Sequence, residues 1–287
     1  MKKRLVSFAK WLSPKFQTVH LEYNVNLIPR FKEGSFVFEK LNALVKENDS
    51  RYRALLTEFT RYRDKISEIK DHSQETNEDL PTWNNGYFPG MDIINLYGII
   101  VHFQPKKILE IGSGNSTKVA RKAIRENGLS TKITSIDPFP RANIDHLSDT
   151  VIRLPLEEVV DIDALISSLD SGDILFIDNS HRALPNSDVT ICFLELLPQL
   201  KKGVIVHVHD IYIPFEYPQY MCDRLYNEQY FLASMLLNNP HRYKTLLPNF
   251  YIHQTTDLQS VLNPFWNLPS MQNVEKHGGS YWLTIEE

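Results

Sequence analysis

The sequence predicts an α/β protein: a seven-stranded, mostly parallel sheet with helices on both faces, preceded by an N-terminal helical region. Three observations carry this. From residue 81 onward, short apolar runs alternate with helical patterns, the signature of a parallel sheet with crossover helices. One of those runs, Lys107–Ile111, passes through the glycine turn Gly112-Ser113-Gly114 into a helical pattern. Residues 1–70 read as helical instead and carry about twice as many basic as acidic residues, whereas the remainder of the chain is acidic.

Taken in order, Phe38–Lys46 forms a short helical pattern. Asp49 or Ser50 then caps a longer one with Tyr52, Leu55, Leu56, Phe59, Tyr62, Ile66 and Ile69 on one face. The polar stretch Asp71–Asp79 reads as a linker, which divides the chain into a helical region, 1–80, and an α/β domain, 81–287. Met91–Phe103 is a helix stopped by Pro105, and Ser116–Asn127 another, with Gly128 near its end. The expected strands are Lys107–Ile111, Lys132–Asp137, Thr150–Leu154, Asp173–Asp178, Gly203–Asp210, Tyr243–Leu247 and Ser280–Ile285. Between them, Asp161–Leu169, Asn186–Leu200 (interrupted late by Pro198) and Pro218–Asn238 are expected as helices.

Composition bounds the function. With 42% apolar and 23% charged residues the chain is a globular protein, and its net charge of −4 gives no reason to expect a nucleic-acid partner. Cys192 and Cys222 form no metal or disulfide framework, so a reducing, cytoplasmic setting is expected. No run approaches the ~20 apolar residues that cross a bilayer. Residues 1–20 form a basic amphipathic pattern with Leu5, Phe8, Ala9 and Leu12 at helical spacing. That pattern suits either peripheral contact with an anionic membrane or docking on protein. The whole region 1–80 is left as a lid, a contact between copies in a homo-oligomer, or a membrane-facing element.

The glycine turn carries the functional signal. Glycines let backbone N–H groups approach a ligand at the positive end of the following helix. Glu110, just before the first glycine, would repel a pyrophosphate and suit a cationic cofactor, and Thr117 stands where a dinucleotide fingerprint has its third glycine. The run Glu110-Ile111-Gly112-Ser113-Gly114-Asn115-Ser116-Thr117 resembles motif I of the class I S-adenosylmethionine (SAM)-dependent methyltransferases. The resemblance implies a Rossmann-like sheet with its last strand in a hairpin. It also implies SAM bound by Glu110, Gly112, Ser113, Gly114, Asn115 and Ser116. Asp137, at the end of the second strand, is placed where such sheets hold ribose hydroxyls.

The remaining strand ends are polar. Asp178 and Asp210 close neighbouring strands and would face one cleft, as oxygen ligands of a hard divalent cation do. This resembles the metal-dependent O-methyltransferases of the catechol and sugar-tailoring type and implies Asp178, His209 and Asp210 as metal ligands. His209 stands where sugar-modifying relatives carry an acid, so magnesium or a transition metal is left open. Substrate binding or loop capping by the two acids is the alternative. His181 falls at the spacing of a general base able to take a proton from an acceptor hydroxyl. His207, expected to face away from His209, is read as a packed histidine. Tyr212 and Tyr217 are candidate substrate contacts, whereas Trp83 and the turn Gly278-Gly279-Ser280 read as structural. The expected reaction is O-methylation of a sugar or other small secondary metabolite. A NAD-dependent oxidoreductase and a non-catalytic scaffold with a methyltransferase fold are the alternatives.

Overall fold

The computed structural model describes residues 11–13, 17, 19, 22–31, 38–140 and 143–287. Most of the basic amphipathic pattern in residues 1–20 lies outside the described residues. Among those described, no helix is long and apolar enough to cross a membrane.

The elements that frame the site are α1 (Glu39–Lys46), α2 (Asp49–Phe59), β1 (Lys70–Asp71), β2 (Thr82–Trp83), α3 (Gly90–Phe103), β3 (Lys107–Ile111), α4 (Asn115–Glu126), β4 (Lys132–Ile136), β5 (Thr150–Ile152), β6 (Ile174–Ile177), β7 (Ile205–Val208), α5 (Glu228–Asn238), β8 (Tyr243–Pro248) and β9 (Tyr281–Ile285). Seven strands form one sheet in the order β5-β4-β3-β6-β7-β9-β8. The first five run parallel, while β9 is antiparallel to both β7 and β8. The expected seven-stranded sheet is therefore present, with its last strand in a hairpin. The strand order turns back between β3 and β6, and in open parallel sheets ligands bind beyond the carboxyl ends of strands at such a reversal.

Burial explains why these runs are strands. Ile174, Leu175, Phe176 and Ile177 of β6, and Ile205, Val206, His207 and Val208 of β7, are all buried, as strands covered on both faces must be. α3 is apolar all round and buried along most of its length. Gly98 of α3 permits one close approach: a Cβ there would stand 2.4 Å from the ring of Phe59 on α2. Leu41, Val45, Tyr52, Leu56 and Phe59 thus belong to the same buried cluster as the sheet.

Three stretches differ from the sequence reading or lie beyond it. The stretch read as a linker begins in a strand, because Lys70 and Asp71 pair with Thr82 and Trp83. The Asp71 carboxylate then holds the turn, accepting from Ser73 N and Oγ and from Asn84 Nδ2. Pro218–Asn238 is not one helix but a turn at Gln219–Cys222 followed by α5. Leu225 adopts a left-handed conformation, and Asn227 donates its N–H to the His181 carbonyl rather than to a helical partner. A third stretch, 249–271, folds into short helices between β8 and β9 that no periodicity announced. The helix expected over Asn186–Leu200 runs from Asp188 to Gln199 with a π turn at Cys192–Leu196. Pro198 explains that turn, since it has no N–H to bond the Leu194 carbonyl in α register.

Candidate active site

A cavity of about 1250 Å³ opens beyond the carboxyl ends of β3, β4, β6 and β7, lined by Gly112, Ser113, Asp137, Asp178, His181 and Asp210 among others. This exceeds the ~300–1,000 Å³ of an ordinary ligand pocket, which leaves room for a cofactor and an acceptor together.

On the β3 side the loop is built for close packing. Gly112 has φ +82°, and a Cβ there would stand 1.9 Å from the Asp178 carbonyl oxygen, so only glycine fits between the ends of β3 and β6. Ser113 donates from both N and Oγ to Asp137 Oδ2, each at 2.9 Å, and Phe139 N donates to Oδ1 at 2.8 Å. Asp137 is thereby fixed at the cavity edge, where the sequence placed it.

Glu110 differs from expectation. Its Oε1 accepts from Ser116 Oγ at 2.7 Å, and its Oε2 from Thr117 Oγ1 at 2.7 Å and Ser135 Oγ at 3.0 Å. The side chain is buried and does not line the cavity. Burial outweighs those three hydroxyls and pushes its carboxyl up to about 7. Glu110 therefore anchors the start of α4 instead of presenting a charge to a ligand. Thr117 completes that anchor, since its Oγ1 also accepts from Gly114 N at 3.1 Å. Gly114, Asn115 and Ser116 are not among the residues that line the cavity, and Asn115 Nδ2 donates to Asn85 Oδ1 at 3.2 Å.

On the β6 and β7 side the charges converge. After Asp178 the chain turns through Asn179, whose Oδ1 accepts from His181 N at 2.9 Å and supports a left-handed His181 at φ +62°. Asp210, following β7, is left-handed as well, at φ +54°. Such conformations cost about 1–3 kcal/mol each in non-glycine residues and concentrate at functional sites. Asn227 bolts the start of α5 to this loop: its N donates to the His181 carbonyl at 3.0 Å and its Oδ1 accepts from Ala183 N at 2.7 Å. Glu228 is thereby brought under the imidazole, and His181 Nδ1 hydrogen-bonds Glu228 Oε1. The opposite nitrogen, Nε2, stands 3.6 Å from Asp178 Oδ1 and 3.5 Å from Asp210 Oδ2. Burial opposes charge on this imidazole, but Glu228, Asp210 and Asp178 together raise it to about 9.

His209 sits among three carboxylates, with Nε2 at 3.5 Å from Asp92 Oδ2 and Nδ1 at 3.5 Å from Asp178 Oδ1 and 3.7 Å from Asp210 Oδ1. Burial opposes its charge, yet Asp178 and Asp210 hold it well above the usual imidazole range. Asp92, fully buried on α3, is held by Asn249 Nδ2, Gly279 N and Ser280 N. Burial disfavours its charge too, but His209 prevails and keeps its carboxyl below the ordinary value. Among the described residues, no group of three His, Cys, Asp or Glu side chains could hold a metal ion. Asp178, His209 and Asp210 thus stand at ion-pair distances and are not arranged as metal ligands.

His207 is packed, as expected, with Nε2 at 2.8 Å from Ser280 Oγ and its ring stacked on Phe176 at 3.7 Å. It does not face away from His209, however: residues two apart on a strand share a face, and the two rings stack at 6.0 Å. Tyr212 lines the cavity, its hydroxyl 3.0 Å from that of Tyr220. Tyr217 does not line this cavity, because it is buried with its hydroxyl accepting from Gln229 N at 3.2 Å. Trp83 is buried, in line with its structural reading. Sequence reasoning missed Asp92, Glu228 and Asn249. A charged residue inside an otherwise apolar helical run was the one available sign for Asp92.

Residues 109–211 match the sequence model of a family described as "Methyltransferase domain". The match takes in the central third of the chain, which is similar to methyltransferase domains. The range contains the glycine loop, Asp137, Asp178, His181 and the His209-Asp210 pair. An uncharacterized protein of Archaeoglobus fulgidus is 30% identical over 79 residues, covering 27% of this chain and 34% of its own. The match thus spans about a third of that relative's length. Among solved structures, the SAH-bound Podospora anserina methyltransferase PaMTH1 aligns at 16% identity and TM-score 0.42, over 88% of this chain and 97% of that one. The SAM-bound O-methyltransferase TomG of Streptomyces achromogenes aligns at 15% identity and TM-score 0.31, over 67% and 78%.

Proposed function

We propose that the protein transfers a methyl group from SAM to a hydroxyl of a small acceptor, a sugar or another secondary metabolite, with His181 as general base. The observation that carries this is the pairing of His181 with a buried Glu228 on one side and with two strand-end acids, across the open cavity, on the other. Bound SAM supplies an electrophilic methyl group on a positively charged sulfur. The cavity suits such a cation because Asp137, Asp178 and Asp210 line it. Gly112 and Ser113 form the cradle, and Asp137 is positioned for ribose hydroxyls.

Glu228 keeps the proton on His181 Nδ1 and leaves Nε2 as the atom that exchanges protons with the cavity. In the free protein Nε2 is protonated at neutral pH. A cation arriving beside Asp178 and Asp210 weakens their hold on that proton and lowers the imidazole toward the range of a base. An acceptor hydroxyl within hydrogen-bonding reach of Nε2 would then give up its proton to Nε2 as the carbon–oxygen bond forms and the methyl–sulfur bond breaks, with SAH as the leaving group, a contribution of about 10²–10⁴ in rate. The donor set does not fit a metal ion, so no step runs through one. Localisation is proposed as cytoplasmic, and residues 1–80 are proposed to act as a lid or as a contact between copies of the chain.

Incubation with methyl-labelled SAM and a panel of hydroxyl-bearing sugars and phenols tests the reading. It is expected to give labelled product and SAH in equal amounts. SAH binding without product from any acceptor would favour the scaffold alternative.

A further inference from the structure

Beside the main cavity lies a second one of about 300 Å³, lined by Phe31, Phe215, Tyr217, Pro218 and Phe250 among others. Tyr212, Tyr220 and His277 line both cavities, so they form the partition between them. The rings are layered: Phe250 stands 4.3 Å from Tyr212 and 5.5 Å from Phe215, and Tyr212 lies 6.0 Å from Tyr217. Tyr212, Tyr217 and Met221 form a hydrophobic cluster separate from the one that holds the sheet together. Phe215 belongs to the main core, and Phe250 packs against both clusters. Pro29 and Phe31 close it from the N-terminal side, and Gln219 Nε2 donates to the Leu27 carbonyl at 2.8 Å to hold that cover in place.

We propose that this pocket is an acceptor subsite for a flat apolar group, an aryl ring or a comparable planar ring system. The acceptor hydroxyl would lie across the Tyr212–Tyr220 partition, next to His181. This rests on the methyl-transfer reading and narrows it to acceptors of two-part character, polar at the reacting hydroxyl and planar and apolar at the far end. The volume holds one or two rings and sits at the lower end of ligand pockets. Aromatic walls favour offset and edge-to-face packing with a ring over an aliphatic chain. Glu216 also lines the pocket, and its Oε1 is held by Tyr217 N at 3.1 Å, Gln229 Nε2 at 3.3 Å and Tyr230 Oη at 2.7 Å.

Calorimetry with SAH present, using 4-nitrophenyl β-D-glucopyranoside and methyl β-D-glucopyranoside as probes, tests the subsite. The aryl probe is expected to bind at least ten-fold more tightly. That preference is expected to fall below two-fold in Phe250→Ala, and also in Gln219→Trp, which fills the pocket from its exposed rim and serves if Phe250→Ala does not fold. SAH affinity is measured on every variant as the control for an intact cofactor site. Equal binding of the two probes, no binding of either, or a preference that survives both substitutions would overturn the subsite while leaving the methyl-transfer reading standing. Failure of the wild-type protein to bind SAH would instead strike the methyl-transfer reading itself.

Discussion

The two halves of the cavity are built by different physics. The cofactor half, beyond β3 and β4, is a contiguous loop held by neutral hydroxyls, with Ser116, Thr117 and Ser135 around Glu110 and Ser113 on Asp137. The acceptor half, beyond β6 and β7, is a set of charges drawn from distant parts of the chain: Asp92 from α3, Asp178 and His181 after β6, His209 and Asp210 at the end of β7, and Glu228 from α5. Hydroxyl bonds fix a shape at little electrostatic cost, whereas a cluster of buried charges fixes protonation states. The first half can be rigid before a ligand arrives. The second is poised to change its proton when one does.

The largest effect that would sharpen this contrast is kinetic. His181→Ala is expected to lower turnover about 10²–10⁴-fold while SAH affinity stays within about two-fold by calorimetry. Equal losses in both would erase the distinction between the halves.

Gly112→Ala should act in the opposite sense, through the cofactor half. The added Cβ collides with the Asp178 carbonyl oxygen, and the backbone is left-handed. A loss of about 2–4 kcal/mol in folding free energy is expected from such strain, read by urea denaturation, together with weakened SAH binding.

Glu110 gives a pH-dependent test of the hydroxyl cage. Its folded-state carboxyl, near 7, lies above the unfolded value of 4.5. The folded protein therefore holds this proton more tightly, and the stability it lends is full below pH 4.5 and lost as pH rises through 7. Subtracting the stability of Glu110→Gln from that of wild type should give a difference that falls by on the order of 3 kcal/mol across that window. A difference independent of pH would contradict the burial argument.

Smaller still, Glu228→Gln should lower kcat by about ten-fold. The kcat/KM of the wild type, which reports the free protein, should climb as pH rises toward 9 and the His181 proton leaves. In the variant that climb should move to lower pH, because the carboxylate that holds the proton is gone. The smallest effect concerns metal. Dialysis against EDTA is expected to change turnover less than about two-fold, since no group of three His, Cys, Asp or Glu side chains among the described residues is arranged to hold a metal ion. Recovery of lost activity by an added divalent ion would break that account.

The same contrast explains what was legible in the sequence. All seven strands, the glycine loop and Asp137 could be placed, because each depends on local pattern: apolar runs, a turn and an acid at a strand end. His181 could be placed by its spacing from Asp178. Its partner could not, since Glu228 lies 47 positions away and reaches it only because Asn227 ties α5 to the 181–183 loop and breaks an otherwise continuous helical pattern. Asp92 was hidden for the same reason, its ligands Asn249, Gly279 and Ser280 being more than 150 positions distant. Glu110 was located correctly and assigned the wrong neighbours, because the sequence shows a charge beside a glycine but not the three hydroxyls that surround it.

The central claim is that this cavity takes a sulfonium-type donor and its demethylated product rather than a dinucleotide. Isothermal titration of the full chain with SAH and, separately, with NADH tests it most directly. One saturable site for SAH and no heat from NADH is the expected result. Saturable NADH binding with none for SAH would contradict it.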